Sequence, residues 1–169
     1  MSPRRVLRKK RAHCIEAALF AAAVLWFHKQ PPLLLDLQTV KEDFDHVTCL
    51  FKQGKYWGAL SKSNHNILRY REPVYLSVRE LAMSYFHEYY LGNGKKSLRA
   101  YSAPFDLSRL GSGWITDEDD LWDVAYKLDK AKHYKILSAS QINKLRPASK
   151  IEIQTMLVEE CKSNGKSYI

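Results

Sequence analysis

An apolar run between a basic arm and two prolines is the feature that most constrains the fold of this chain. From Cys14 to Phe27 the sequence reads CIEAALFAAAVLWF, and Pro31 and Pro32 follow shortly after. The run is rich in alanine and leucine and is apolar nearly all round, which is typical of a helix buried in a protein core. The two prolines cannot continue a helix, so we expect it to end before them. A short basic helix over about residues 3–10, capped by Ser2, is expected to precede it.

The same stretch also imitates a targeting segment, because a basic arm before an apolar run is the pattern of a signal peptide. The run is shorter than the ~20 residues that cross a bilayer. Glu16 lies near its start, and no small-residue cleavage site follows it. We therefore expect a core helix and no membrane span, with a signal or anchor segment as the alternative.

Three short segments after the prolines have the composition of strands. Residues 33–37 form a continuous apolar run, and residues 44–51 and 56–60 are joined by a turn at Gly54. Short connections favour antiparallel pairing, with the preceding helix packed on one face of the sheet. The sequence thus predicts an α+β fold in which a cysteine-bearing helix packs on a small antiparallel sheet over residues 1–75.

The remainder of the chain, residues 76–169, is expected to be a mostly helical extension of the same single domain. Ser77 and Glu80 form a capping-box pattern for a helix over residues 77–91. Residues 97–114 carry proline and glycine and are expected to form loops. Thr116 is expected to cap a helix whose first turns hold the acidic residues 117–120. A last helix over about residues 149–161 and a frayed end at 163–169 complete the prediction.

The net charge of +9 is concentrated at the start of the chain, where residues 4–11 include six basic side chains. Such an arm can bind phosphates, so association with nucleic acid is one alternative. A solvated first helix explains the same charges more simply. The three cysteines, Cys14, Cys49 and Cys161, have neither the number nor the spacing of a disulfide framework or a metal site. We expect a cytoplasmic protein without metal or cofactor, and the sequence leaves the oligomeric state open.

Cys14 stands where a thiol can become a nucleophile. It opens the predicted helix, and a helix N-terminus lowers the pKa of a thiol. His46 opens a following strand and could act as its base. After the third strand, Ser61 and Asn64 offer groups that could orient the imidazole. Each residue also has a structural interpretation: Cys14 and Cys49 as small core residues, His46 as a strand-edge histidine, and Ser61 and Asn64 as turn residues.

This order of residues resembles the transglutaminase-like superfamily, whose core is related to papain-like cysteine proteases. The resemblance rests on four segments: His13 to Ala23, Pro31 to Leu37, Asp45-His46-Val47, and Tyr56 to His65. These segments, with residues 79–89 and 118–122, also look similar to a small, largely uncharacterised bacterial family of that type. The resemblance covers most of the chain up to about residue 135.

The resemblance implies a cysteine-dependent hydrolase or acyl transferase that acts on an amide or peptide-like bond. Cys14 would be the nucleophile, His46 the base, and Ser61 or Asn64 the orienting group. The superfamily usually has Asp at the position of Ser61. Its members also carry more sequence before the cysteine helix, so we expect a short form whose oxyanion-hole partner the sequence does not identify. The alternative on the same fold is a binding module without catalytic activity.

Overall fold

A computed structural model shows the architecture of the chain, and it describes residues 1–159. Two helices come first, α1 (Pro3–Lys9) and α2 (Cys14–Phe27), followed by the strands β1 (Leu33–Gln38), β2 (His46–Gln53), β3 (Tyr56–Leu60) and β4 (Arg71–Tyr75). After these come α3 (Val78–Ser84), β5 (Ala100–Ser102), β6 (Phe105–Asp106), α4 (Trp122–Asp129), β7 (His133–Lys135), α5 (Ala139–Ile142) and α6 (Lys150–Met156). Single 3₁₀ turns lie at Phe86–Glu88, Leu107–Leu110 and Gly113–Ile115.

Helix α2 begins and ends close to where the sequence predicts. The amide of His13 donates to Glu16 Oε2 at 2.7 Å, which satisfies one of the free N–H groups at the helix start. Past its end, Lys29 has a left-handed backbone (φ 64°). Ala18, Leu19 and Ala22 are buried, as expected of a core helix. Within residues 1–159 no helix is both long and apolar enough to cross a membrane.

One antiparallel sheet contains all seven strands, in the order β4-β3-β2-β1-β5-β7, with β6 also paired to β1. In the register of β1 and β2, Asp36 faces Val47 and Leu37 faces His46. The β2–β3 hairpin closes at Gly54, whose φ of +60° suits glycine. The predicted α+β class, the antiparallel pairing and the helix on one sheet face are therefore confirmed.

The two faces of the sheet bury separate apolar cores. On one face α2 and α4 pack with the alternate strand residues Leu34, Val47 and Cys49. On the other face α3 packs with Leu35, Leu37 and Leu50. Cys49 is completely buried, as predicted for a core residue. Alternation along β2 therefore directs Val47 and His46 to opposite faces.

The sequence did not predict the four strands β4 to β7. Residues 97–114, expected as loops, contain β5 and β6, and β5 pairs with β1. The strands that follow residue 76 thus belong to the same sheet as those before it. These strands have two to five residues each, which is too short to give a clear alternation in the sequence.

Two predicted helices differ in their limits. The helix expected over residues 77–91 is α3, which ends at Ser84, with a 3₁₀ turn after it. Ser77 caps α3 as predicted and accepts from the amide of Glu80, while Glu80 accepts from Leu76 rather than from Ser77. The final helix, α6, ends at Met156. Cys161 and residues 163–169 lie outside the described residues.

The prediction that Thr116 caps a helix is wrong, because α4 starts only at Trp122 and Thr116 ends a 3₁₀ turn. The acidic run instead pairs with the basic arm. Arg5 lies 2.7 Å from Asp120, and Arg8 lies 3.0 Å from Glu118. Arg4 also approaches Glu118, at 3.6 Å. Three of the arm's charges are therefore offset within the fold, which reduces the positive charge that phosphates would meet.

Candidate active site

The Cys14 thiol lies at the first residue of α2, against the start of strand β2. The backbone of Val47 is within hydrogen-bonding reach of its sulfur, as are the backbone groups of Cys14 and Ile15. Val47 directly follows His46 in the chain. The structure therefore places the predicted nucleophile beside the residue that follows the predicted base. The His46 side chain itself is directed to the opposite face of the sheet, where Ser61 is its hydrogen-bond partner.

The environment of this thiol acts on its pKa in two directions. Burial raises the pKa of Cys14 above the ordinary thiol value, because a thiolate is poorly solvated there. Backbone hydrogen bonds from Val47 and from the first turn of α2 act in the opposite direction. Burial is the larger effect, so the resting group is a protonated thiol at neutral pH.

The imidazole of His46 is held by Ser61. His46 is 6% exposed, and its Nε2 lies 2.6 Å from Ser61 Oγ. The same hydroxyl donates to the carbonyl oxygen of Leu68 at 2.6 Å. A serine hydroxyl has one hydrogen, so Ser61 must accept the proton of Nε2–H. A neutral His46 then has its lone pair on Nδ1, and that nitrogen is the one able to accept a proton.

Burial, together with the positive charge of Arg71, lowers the pKa of His46 to about 4. Ser61 orients the ring as a carboxylate would, but it is uncharged and cannot stabilise an imidazolium as Asp does in a triad. His46 is therefore a neutral base at pH 7.

Residues beyond the predicted site hold Ser61 in place. Leu68 has a left-handed backbone (φ 56°), and its amide donates to Glu88 Oε2 at 2.7 Å. Glu88 also forms an ion pair with Arg71. Glu88 follows α3 and Arg71 opens β4, so two elements support the carbonyl group that receives the Ser61 hydrogen bond. No local sequence pattern predicts this support, because Ser61, Arg71 and Glu88 are far apart along the chain.

Asn64, the other predicted orienting residue, lies in the connection between β3 and β4 and is half-buried. The described hydrogen-bond partner of the His46 ring is Ser61, which accepts from Nε2–H. A direct role of Asn64 stays a prediction. Glu16 lies two positions after Cys14, and it accepts a hydrogen bond from the His13 amide at the start of α2.

A second buried pair, which the sequence did not predict, lies on β1 and β7. Asp36 Oδ2 is 3.0 Å from His133 Nε2, and His133 Nδ1 is 2.8 Å from the carbonyl oxygen of Ala131. Burial raises the pKa of Asp36 to about 6, while the bond to His133 opposes that rise. Within residues 1–159, no group of three or more His, Cys, Asp or Glu side chains could hold a metal ion.

The aromatic residues near the end of α3 are buried: Tyr85, Phe86, Tyr89 and Tyr90. Burial raises the pKa of Tyr89 well above the ordinary value. Its hydroxyl has no hydrogen-bond partner within the part of the chain that the structure describes.

No protein-family model matches the chain, and no curated protein sequence matches it significantly.

Proposed function

We propose that this protein is a transglutaminase-like cysteine hydrolase or acyl transferase that acts on an amide or peptide-like bond. The observation that carries the proposal is the tautomer of His46, together with the contact between the Cys14 sulfur and the neighbouring residue Val47. Ser61 accepts the proton of Nε2, which leaves Nδ1 as the basic nitrogen. The Cys14 sulfur lies against Val47, the next residue.

In the proposed reaction, the Cys14 sulfur attacks the carbonyl carbon of the substrate while its proton passes to His46 Nδ1. This transfer requires the His46 ring to turn round the start of β2 toward the face of the sheet on which Cys14 lies. The carbonyl electrons move to oxygen, and the amides at the start of α2 offer hydrogen bonds to that oxyanion. Collapse of the intermediate breaks the C–N bond, and the imidazolium returns its proton to the leaving amine. A thioester on Cys14 remains.

Release of the thioester requires a second nucleophile. His46, again neutral, accepts a proton from water or from an amine that attacks the thioester carbonyl, and the Cys14 thiol is restored. Water gives hydrolysis and an amine gives acyl transfer, and both share the same intermediate. Cys14 and Cys49 are free thiols. We propose a reducing, cytoplasmic setting, in which Cys14 stays available.

A second candidate is a transglutaminase-like binding module without turnover. Two observations favour it: Ser61 is uncharged where the superfamily usually has Asp, and burial keeps both Cys14 and His46 in their neutral forms. Such a pair needs substrate binding to move the proton. An experiment on the chemistry of Cys14 therefore separates the two candidates.

The experiment traps the acyl-enzyme with p-nitrophenyl acetate, an activated ester that acylates cysteine nucleophiles. Every protein carries Cys161→Ser, so that acylation reports on Cys14, and peptide mass spectrometry locates the acetyl group. We expect stoichiometric acetylation of Cys14 at pH 7 and a loss of at least tenfold in rate in His46→Ala. His28→Ala, which changes an exposed histidine near the far end of α2, is the matched control and is expected to keep the rate.

Acetylation of Cys14 no faster than that of a small-molecule thiol of equal pKa would contradict the enzyme proposal. Equal rates in His46→Ala and His28→Ala would do the same. Either result would favour the binding module.

A further inference from the structure

A basic cleft lies away from Cys14 and His46, between the hairpin that precedes β5 and the segment that follows α5. It has a volume of about 340 Å³. The basic cleft is lined by Lys95, Lys96, Arg99 and Arg146, together with Asn93 and Leu145. That volume lies within the range of small-molecule sites in proteins.

The walls of the basic cleft are fixed by contacts within the fold. Gly94 has a φ of +83°, and a Cβ there would lie 2.8 Å from the carbonyl oxygen of Ala148. This glycine allows the two segments to meet, and the amide of Ala148 donates to the carbonyl oxygen of Gly94 at 2.8 Å. The Lys96 side chain is 3% exposed, and it donates to the carbonyl oxygen of His87 at 3.1 Å. The cleft is therefore largely formed before any ligand arrives.

The positive charges of the basic cleft exceed its negative partners. Lys96 and Arg146 share Glu152, at 3.7 Å and 3.0 Å. Lys95 lies 3.7 Å from Glu42. Four cations thus have two carboxylates, which leaves a local charge of about +2.

Arg99 is the cation without a carboxylate partner. Its Nη1 donates to the carbonyl oxygen of Leu98 at 2.9 Å. Glu42 attracts Arg99 electrostatically, but within residues 1–159 the ion pair of Glu42 is with Lys95. Partial burial lowers the pKa of both Arg99 and Lys96. Such cations are poorly hydrated, and an anion in the cleft would replace the interactions with water that burial removes.

We propose that the basic cleft binds a small molecule through a phosphate group. A phosphate monoester carries up to two negative charges at neutral pH, which match the excess positive charge. The guanidinium of Arg99 can donate two parallel hydrogen bonds to phosphate oxygens. Ile142, Leu145 and Pro147 form an apolar wall beside the basic groups, and this wall is suited to the non-phosphate part of the ligand. The site goes beyond the proposed function, because neither Cys14 nor His46 lines it.

The experiment measures binding of phenyl phosphate and of inorganic phosphate to the full chain by isothermal titration calorimetry at low salt. We expect phenyl phosphate to bind more tightly than inorganic phosphate, because its ring contacts the apolar wall. Arg99→Gln is expected to weaken phenyl phosphate binding at least tenfold. Arg79→Gln removes an equal charge from an exposed position on α3 and is expected to leave the affinity unchanged.

Two further variants make the result decisive. Lys95→Gln alters a half-exposed side chain, and we expect it to weaken binding as well. Cys14→Ser is expected to bind phenyl phosphate normally, so a failure of the proposed enzyme function would leave this result intact. Absence of binding at millimolar phenyl phosphate would overturn the proposal. Equal weakening by Arg79→Gln, or binding of a single-stranded oligonucleotide alone, would overturn it too.

Discussion

At the scale of single residues, Ser61 determines what His46 can do. A hydroxyl that donates to Leu68 has only lone pairs left for the imidazole, so the ring must present Nε2–H to it. The residue thus selects the tautomer without adding charge. The sequence predicted Ser61 as a member of the site, but not that the Leu68 carbonyl would fix the direction of its hydrogen bond.

Replacement of Ser61 tests this positioning role. In Ser61→Ala the ring loses one buried hydrogen bond, worth about 1 kcal/mol, and the preference for Nε2–H with it. We expect the rate of Cys14 acetylation at pH 7 to fall about fivefold to tenfold, with Tm lowered by only about 2 to 4 °C. Ser61→Asn, which offers a carbonyl acceptor to Nε2–H, is expected to restore part of the rate. An unchanged rate in Ser61→Ala would show that Ser61 has no part in the chemistry.

The Asp36–His133 pair must hold a proton between its two side chains. His133 Nδ1 faces a carbonyl oxygen and therefore donates, so the 3.0 Å contact of Nε2 with Asp36 needs a hydrogen from one of the partners. Loss of that proton at higher pH leaves a buried carboxylate against a nitrogen lone pair. The folded state is accordingly expected to bind a proton more tightly at Asp36 than the unfolded state does.

This difference predicts a pH dependence of stability. The pKa of Asp36 is raised to about 6 from 3.8, so its contribution is fully present below pH 4 and is lost as the pH rises through 6. Asp36→Asn removes the titration. We expect the variant to gain about 2 to 3 kcal/mol relative to wild type between pH 4 and pH 8 in urea unfolding.

The matched control for this measurement is Asp123→Asn, which changes an exposed carboxylate on α4 and is expected to show no such gain. His46 also titrates, but it is present in all three proteins and cancels in the comparison. A stability difference between Asp36→Asn and wild type that stays constant with pH would refute the assignment.

At the scale of elements, the strands show which parts of a fold a sequence reveals. β1, β2 and β3 are apolar and consecutive, and their prediction is confirmed. β4 contains Pro73 and lies at the edge of the sheet, where a missing N–H is tolerated but the sequence signal is weak. The structure starts α4 later than the sequence predicts, because the acidic residues 117–120 pair with α1. Such a contact between distant residues is not encoded in a local pattern.

Gly58 on β3 gives a sharp test of how the central strands pack. A Cβ at this position would lie 2.5 Å from the Phe51 ring and 2.9 Å from the carbonyl oxygen of Arg71. We expect Gly58→Ala to lower the free energy of unfolding by about 1 to 3 kcal/mol, because ring and backbone must both shift. Gly92→Ala meets no atom within 4 Å and serves as the control. Equal stability of the two variants in urea unfolding would contradict this packing.

At the scale of the whole molecule, the fold places Cys14 at the end of the sheet where β2 begins. The α+β class, the helix on the sheet and the hairpin followed from the periodicity of nearby residues. The relative positions of Ser61, Leu68 and Glu88 depend on strands and turns that meet only in the folded chain. The order of residues along the chain is enough to predict Cys14, His46 and Ser61 as members of one site. The hydrogen bonds that hold His46 and Ser61 are visible only in the structure.

If Cys14 and His46 act together, the pH dependence of Cys14 alkylation by iodoacetamide must change when the imidazole is removed. Burial raises the pKa of Cys14, so without a base the thiol should react slowly at pH 7. In the Cys161→Ser background we expect His46→Ala to react at least tenfold more slowly at pH 7. The two rates should converge above the pKa of the thiol, where the thiolate forms without help. If the pH–rate curves of the two proteins superimpose, and each fits the titration of one thiol without a base, His46 does not assist Cys14.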